Sequence, residues 1–159
     1  MPSIEVKLTN ESIGEAVKEI EKYAKWVTKK EAELRSKLAE RGAKVASIEF
    51  AAAMYTGTND VTVRVDNTGS VAVIYAEGEA VAFIEFGTGA THGYGHPLAG
   101  KFGVGPGTYP NGKGHWDDPN GWWYGGKHTY GNVPAMAMYK AVQEIAQNVK
   151  EVAMEVFRN

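Results

Sequence analysis

The chain has 159 residues, 43% of them hydrophobic, and a formal net charge of −2. Its size suits a single domain over 1–159 and its apolar share sustains a core, which excludes wholesale disorder; the charge argues against a general nucleic-acid binder. There is no cysteine, so disulfides, thiolate metal sites and a cysteine nucleophile are excluded.

The start, Met1-Pro2-Ser3-Ile4-Glu5-Val6-Lys7, lacks the basic stretch and apolar run of a signal peptide. No segment reaches the roughly 18 apolar residues of a membrane span, and a cytoplasm is the expected place of synthesis and use. Residues 10–41 predict a long helix. Ser12-x-x-Glu15 has capping-box spacing, with Thr9 and Asn10 as alternative caps. Ile13, Val17, Ile20, Ala24, Val27, Leu34 and Leu38 form one apolar stripe, and Gly42 suits a carboxy-terminal stop. Such a helix spans about 48 Å, more than a domain this size needs, so part of its stripe is available to another subunit or to a bend around its own core.

After Gly42 the period changes to two. Ala46, Ile48, Phe50, Ala52 and Met54 predict a first strand, although Ala51-Ala52-Ala53 also favours helix. Turns at Thr56–Asp60 and Asp66–Gly69 separate it from strands over Val61–Val65 and Val71–Ala76, an antiparallel meander. Glu79–Phe86 reads as a short helix or a fourth strand. A loop insertion over about 87–132 follows, with Trp122-Trp123-Tyr124 and Lys127-His128-Thr129-Tyr130 as short strand remnants. A second helix runs from about Pro134 to Phe157, with proline in its first turn. The expected fold class is α+β: a long N-terminal helix and a C-terminal helix packed on a small antiparallel β-sheet, with a long Gly/aromatic-rich loop.

That loop dominates the functional reading. Between Gly87 and Gly131 lie 14 of the 19 glycines, all four histidines and three of the four tryptophans. Loops longer than about 12–15 residues are usually functional or disordered, and this one is too aromatic for a solvated tether. His92-x3-His96 has a spacing found in metal sites, and His115 lies near Asp117 and Asp118. Glycines and Pro97 prevent a helix from aligning those histidines, and no metal or other cofactor is expected. No Gly-x-Ser-x-Gly elbow exists, and every serine falls outside the loop. Glu77, Glu79 and Glu85 offer paired carboxylates, but nothing in the sequence marks one as buried. Gly103-Val104-Gly105-Pro106-Gly107 is neither a dinucleotide fingerprint nor a P-loop. No catalytic residue is expected. Trp116, Trp122, Trp123, Tyr94, Tyr109, Tyr124 and Tyr130 fit a protein interface, a cluster folding the loop onto its own domain, or sugar stacking.

Two segments carry a resemblance. Gly78-Glu79-Ala80-Val81-Ala82-Phe83-Ile84-Glu85-Phe86-Gly87-Thr88-Gly89 resembles the "YAxYVEFGT" segment of tail-completion, or head–tail joining, proteins of long-tailed bacteriophages (the HK97-type minor tail component family). Gly131-Asn132-Val133-Pro134-Ala135-Met136-Ala137-Met138 is similar to that family's "G-x-PAxPFM" entrance to the last helix. The chain departs in having Phe83 where tyrosine or valine is frequent, Ala137-Met138 where Pro-Phe is common, and a longer loop. The resemblance implies a structural virion protein, not an enzyme. It implies a homo-oligomeric ring, commonly six-fold, that completes the tail and joins it to the head connector. Its partners would be other copies and neck or tail proteins such as connector, stopper, terminator or tail tube. DNA would at most pass through the lumen, and no membrane is involved. Assembly would occur in the host cytoplasm. A ring buries its interface head to tail, and Glu85, Phe86, Gly87, Thr88, Gly89, Trp116, Trp122 and Trp123 are the expected contact residues. Glu85 is further expected to bind glycine-loop amides and fix where the loop leaves the domain. The alternatives are a small metal-dependent or wall-directed hydrolase and a carbohydrate-binding module using the aromatic loop.

Overall fold

The computed structural model describes residues 9–89, 95–103, 118–124 and 126–158. Thr9 opens the first helix, its hydroxyl accepting the N–H of Ser12 at 3.2 Å, so Thr9 is the acting cap. Helix α1 then runs Asn10–Ala52, 43 residues, or about 64 Å.

The expected stop at Gly42 and the expected strand over 46–54 are both corrected. Ala39, Gly42, Ala46 and Phe50 are buried along one face of α1, a three-four-four spacing that belongs to a helix. The two-residue alternation merely coincided with it. Gly42 lies where α1 is crowded from outside: a β-carbon there would stand 2.6 Å from Ile145 Cδ1 and 2.8 Å from Ile74 Cδ1. The glycine serves close packing rather than termination.

Strands β1 (Thr62–Asp66) and β2 (Val73–Glu77) pair antiparallel, with Arg64 opposite Tyr75. The Arg64 guanidinium forks onto the Glu77 carboxylate at 2.7 and 2.9 Å and lies over the Tyr75 ring. Because the first predicted strand is helical, the expected three-strand meander is a two-strand hairpin. Helix α2 (Val81–Phe86) settles the ambiguous segment as helix. Asp60 holds its start by accepting the N–H groups of Glu79 at 2.7 Å and Ala80 at 3.0 Å.

A short helix α3 (Ala99–Phe102) and a second antiparallel hairpin, β3 (Trp122–Tyr124) with β4 (Lys127–Thr129), lie within the loop region. Helix α4 (Ala137–Arg158) closes the fold. Ion pairs Glu49–Lys140 at 2.6 Å, Arg41–Glu144 at 2.7 Å and Lys37–Glu155 at 2.7 Å run in opposite directions along the two long helices, so α1 and α4 are antiparallel. The core forms where α1, α2 and α4 meet: Ala46 and Phe50, Ala80 and Ile84, Ala137 and Ala141. Val63 and Ala76 of the first hairpin pack against it. The class is α+β, as the sequence predicts.

Helix α4 ends beside Trp26, where Phe157 meets the indole edge-on at 5.8 Å. Residues 10–25 of α1 therefore project beyond α4 as an arm of about 24 Å. Ile13, Val17, Ile20 and Tyr23 on that arm are exposed. Among the described residues, no helix is long and apolar enough to cross a membrane.

Candidate functional site

The candidate site is the base of the loop, where chain leaving α2 meets chain entering α4. Met136, the residue before α4, has no side-chain acceptor to cap it, and its φ of 55° lies in the left-handed region. The first amides of α4 need an acceptor from elsewhere. Glu85, on the last turn of α2, supplies it. Its Oε2 accepts the N–H of Met138 at 2.9 Å and its Oε1 that of Tyr139 at 3.0 Å. A carboxylate here also faces the positive end of the α4 dipole. The backbone reinforces the contact, because Ala135 N–H donates to Ile84 O at 2.8 Å and Met136 N–H to Glu85 O at 3.2 Å. The end of one helix thus satisfies the start of another.

His96 completes the set. Leu98 N–H donates to its Nδ1 at 3.1 Å, so the proton of the neutral ring sits on Nε2. That nitrogen lies 3.2 Å from Glu85 Oε1 and donates to it. The ring is buried, 4.4 Å from the Phe86 centroid and 5.8 Å from that of Tyr139, and Phe102 packs on Phe86 at 5.7 Å. This cluster folds residues 95–103 back onto α2 and α4. Glu85 meets three donors, which suits an acceptor-only carboxylate. Both ring nitrogens of His96 are engaged, so neither faces a space where a reacting group could sit.

Below Glu85 the two loop stems are tied together. Thr88 N–H donates to Asn132 O at 2.9 Å and Asn132 N–H returns to Thr88 O at 3.2 Å, a one-pair antiparallel bridge. The Thr88 hydroxyl donates to Asn132 Oδ1 at 2.6 Å, and Asn132 Nδ2 reaches Phe83 O at 3.0 Å. Gly131 has φ 96°, and a β-carbon there would overlap the Thr88 carbonyl. Gly87 has φ 75°, with Asn132 O and Pro134 Cδ each 2.8 Å from its absent β-carbon. Glycine is required at both positions because the left-handed backbone and the close stem-to-stem approach exclude a side chain.

Glu85, Gly87, Thr88 and Gly89 are buried within the chain and Phe86 is half-buried. Of the expected contact residues, these five hold the loop's base rather than offering free surface. Glu85 does fix where the loop leaves the domain, but through the amides of α4 and His96 instead of glycine-loop amides. Trp123 is 72% exposed on β3, its ring centroid 5.4 Å from that of His128 in an edge-on arrangement, and Tyr130 is exposed next to it. Trp116, His92, His115, Tyr94 and Tyr109 lie outside the described residues, as do the side chains of Trp122 and Tyr124. Among the described residues no group of three metal-ligating side chains is assembled. Beside the stems runs an open groove walled by Met54, Tyr55, Val133 and Pro134.

Sequence reasoning missed His96, the Thr88–Asn132 bridge and Met136. Two signals pointed to them. Val133-Pro134-Ala135-Met136 contains no capping side chain before an evident helix, and Glu85 stands alone in the apolar run Val81–Phe86. An uncapped helix start and a stranded buried acceptor satisfy each other.

No protein-family model matches the chain, and neither does any curated protein or solved structure.

Proposed function

We propose that the chain is a structural subunit of a phage neck, assembling as a ring that completes the tail and joins it to the head connector. One observation carries this reading. The two segments on which the resemblance to tail-completion proteins rests, Gly78–Gly89 and Gly131–Met138, bond to one another at Thr88–Asn132 and Glu85–Met138. They form one clasp, so a single requirement accounts for both motifs: holding a long loop on a fixed base. The clasp leaves exposed Trp123 and Tyr130 on the second stem, residue types that anchor interfaces. The closed Glu85–His96 pair offers no reactive group, which favours contact over chemistry.

The test is the composition of purified particles from the phage that carries this gene. Mass spectrometry should detect the chain, and a labelled copy should appear at the head–tail junction by electron microscopy. Its absence from intact particles would sink the proposal. Tails made without it should remain unjoined to filled heads.

A further inference from the structure

The ring of His96 makes two hydrogen bonds on which one added proton has opposite effects. Its side chain is 2% exposed, so its partners are fixed neighbours rather than water. Nδ1 accepts the Leu98 N–H at 3.1 Å, and Nε2 donates to Glu85 Oε1 at 3.2 Å. A second proton has one place to go, Nδ1, because Nε2 already bears one. There it meets the Leu98 N–H, donor against donor, and that bond is lost. The bond to Glu85 is strengthened instead, since it becomes a charge-assisted contact between imidazolium and carboxylate.

The lost bond matters because α3 is seated on it. His96 Nδ1 and the Leu98 N–H close a two-residue turn, the imidazole counterpart of an Asx turn. From that turn Ala99 N–H donates to His96 O and Phe102 N–H to Leu98 O, each at 3.2 Å, and these bonds start the four residues of α3. A helix this short has no stability of its own. Its place depends on the turn beneath it and on Phe102 packed against Phe86. Leu98 and Phe102 are the exposed apolar side chains held there. Glu85, by contrast, keeps the N–H groups of Met138 and Tyr139 in either state of the ring. Among the described residues, the titratable groups bonded to or packed on the ring are Glu85 from α2 and Tyr139 from α4, and Lys101 on α3 is exposed. A charged ring beside Glu85 is therefore a paired charge, not an isolated one.

We infer that His96 is a proton-operated switch: the neutral ring holds the turn that seats α3, and the protonated ring gives up that turn while keeping Glu85. The seat of Leu98 and Phe102 changes, whereas the cap on α4 and the Thr88–Asn132 bridge stay closed. The switch works within a single chain and does not rest on the phage-neck reading.

Nitrogen NMR of the full chain between about pH 8 and about pH 5, the span in which histidine ordinarily titrates, tests the switch. At the upper end the His96 ring should carry its proton on Nε2. As the ring passes to its doubly protonated form, protection of the Leu98 amide from hydrogen exchange should fall by about five- to ten-fold, as expected for one hydrogen bond. That protection is corrected for the intrinsic pH dependence of exchange. The Met138 and Tyr139 amides should keep theirs. His96→Asn separates the proton from the bond. Its Oδ1 accepts from the same N–H and does not titrate, so Leu98 protection should become level across the span. A proton on Nδ1 at the upper end would overturn the proposal, as would a ring that stays neutral until the chain unfolds. So would Leu98 protection that ignores the ring's protonation or falls equally in His96→Asn. Loss at Met138 and Tyr139 together with Leu98 would mean that the whole clasp opens, which overturns a separate release of α3 and leaves the ring-assembly reading standing.

Discussion

The clasp and the arm invert the usual arrangement of a small protein. At the clasp, polar groups are buried: Glu85, Thr88, His96 and Asn132 all lie inside, and their hydrogen bonds run to one another or to neighbouring backbone. On the arm, large apolar side chains face outward. A buried polar network is costly unless every member is partnered, and the clasp meets that condition within one chain. Among the described residues, no side chain covers the arm's apolar stripe. The difference teaches that the motif-like segment satisfies its buried polar groups within the chain, whereas α1 leaves large apolar side chains exposed among the described residues at its far end.

The largest expected effect is at Glu85. Replacing it by alanine strands the first amides of α4 and the Nε2 proton of His96, and stability to denaturant should fall by about 3 kcal/mol. A loss below about 1 kcal/mol would show that the clasp is not a structural centre. Next come two glycines that receive the same change. Gly131→Ala should cost about 2 kcal/mol, because its φ is left-handed and its β-carbon meets a carbonyl. Gly14→Ala, on the arm with nothing within 4 Å of the added carbon, should instead increase helicity by up to about 1 kcal/mol. Equal signs for the two would break the contrast.

His96→Ala tests the tether apart from the helix cap. The Met138 and Tyr139 bonds to Glu85 survive, so the cooperative melt should move less than for Glu85→Ala. Limited proteolysis should then cut the loop faster between about 89 and 131. Assembly, if the loop is a contact element, should slow that cleavage in the unmodified chain, and equal rates in both states would count against a contact role for the loop.

Acid should act through the carboxyls that the fold holds below their ordinary values. The backbone N–H groups of Ala80 and Glu79 hold the Asp60 carboxyl below its ordinary value of 3.8. A carboxyl depressed in the folded state stabilises fully above its unfolded pKa, and that contribution disappears as pH falls through the folded value. Asp66, Glu77 and Glu155 are lowered as well, by Thr68, Arg64 and Lys37 respectively. Thermal melts of Asp60→Asn below pH 4 should therefore lose part of the acid dependence, not all of it. An unchanged profile would remove Asp60 from the account. The smallest effect belongs to the arm: Val17→Ser in dilute solution should change stability by no more than about 0.5 kcal/mol, since the side chain is already exposed.

Much of the fold was legible in local pattern. Thr9 stood among the proposed caps, the Val61–Val65 and Val71–Ala76 runs alternate as strands do, and the last helix keeps its apolar spacing from Met138 to Val156. The passage through Gly42 was not legible, because a glycine that ends a helix and one that admits a neighbouring helix look alike in sequence. Only the approach of Ile74 and Ile145, residues distant along the chain, distinguishes them. The strand expected over 46–54 failed for the same reason: Phe50 sits at both a two-residue and a four-residue interval from alanines, and packing chose between them.

The sequence alone determined which segments could be helix or strand, that no cysteine chemistry was available, and that the glycine- and aromatic-rich stretch was set apart. These properties are carried by residues close together in the chain. Tertiary structure decided that Glu85 caps a helix beginning 52 residues later, that Thr88 and Asn132 close the loop, and that the first sixteen residues of α1 extend past α4. Each depends on where distant backbone amides and helix ends come to rest, and no local preference encodes that.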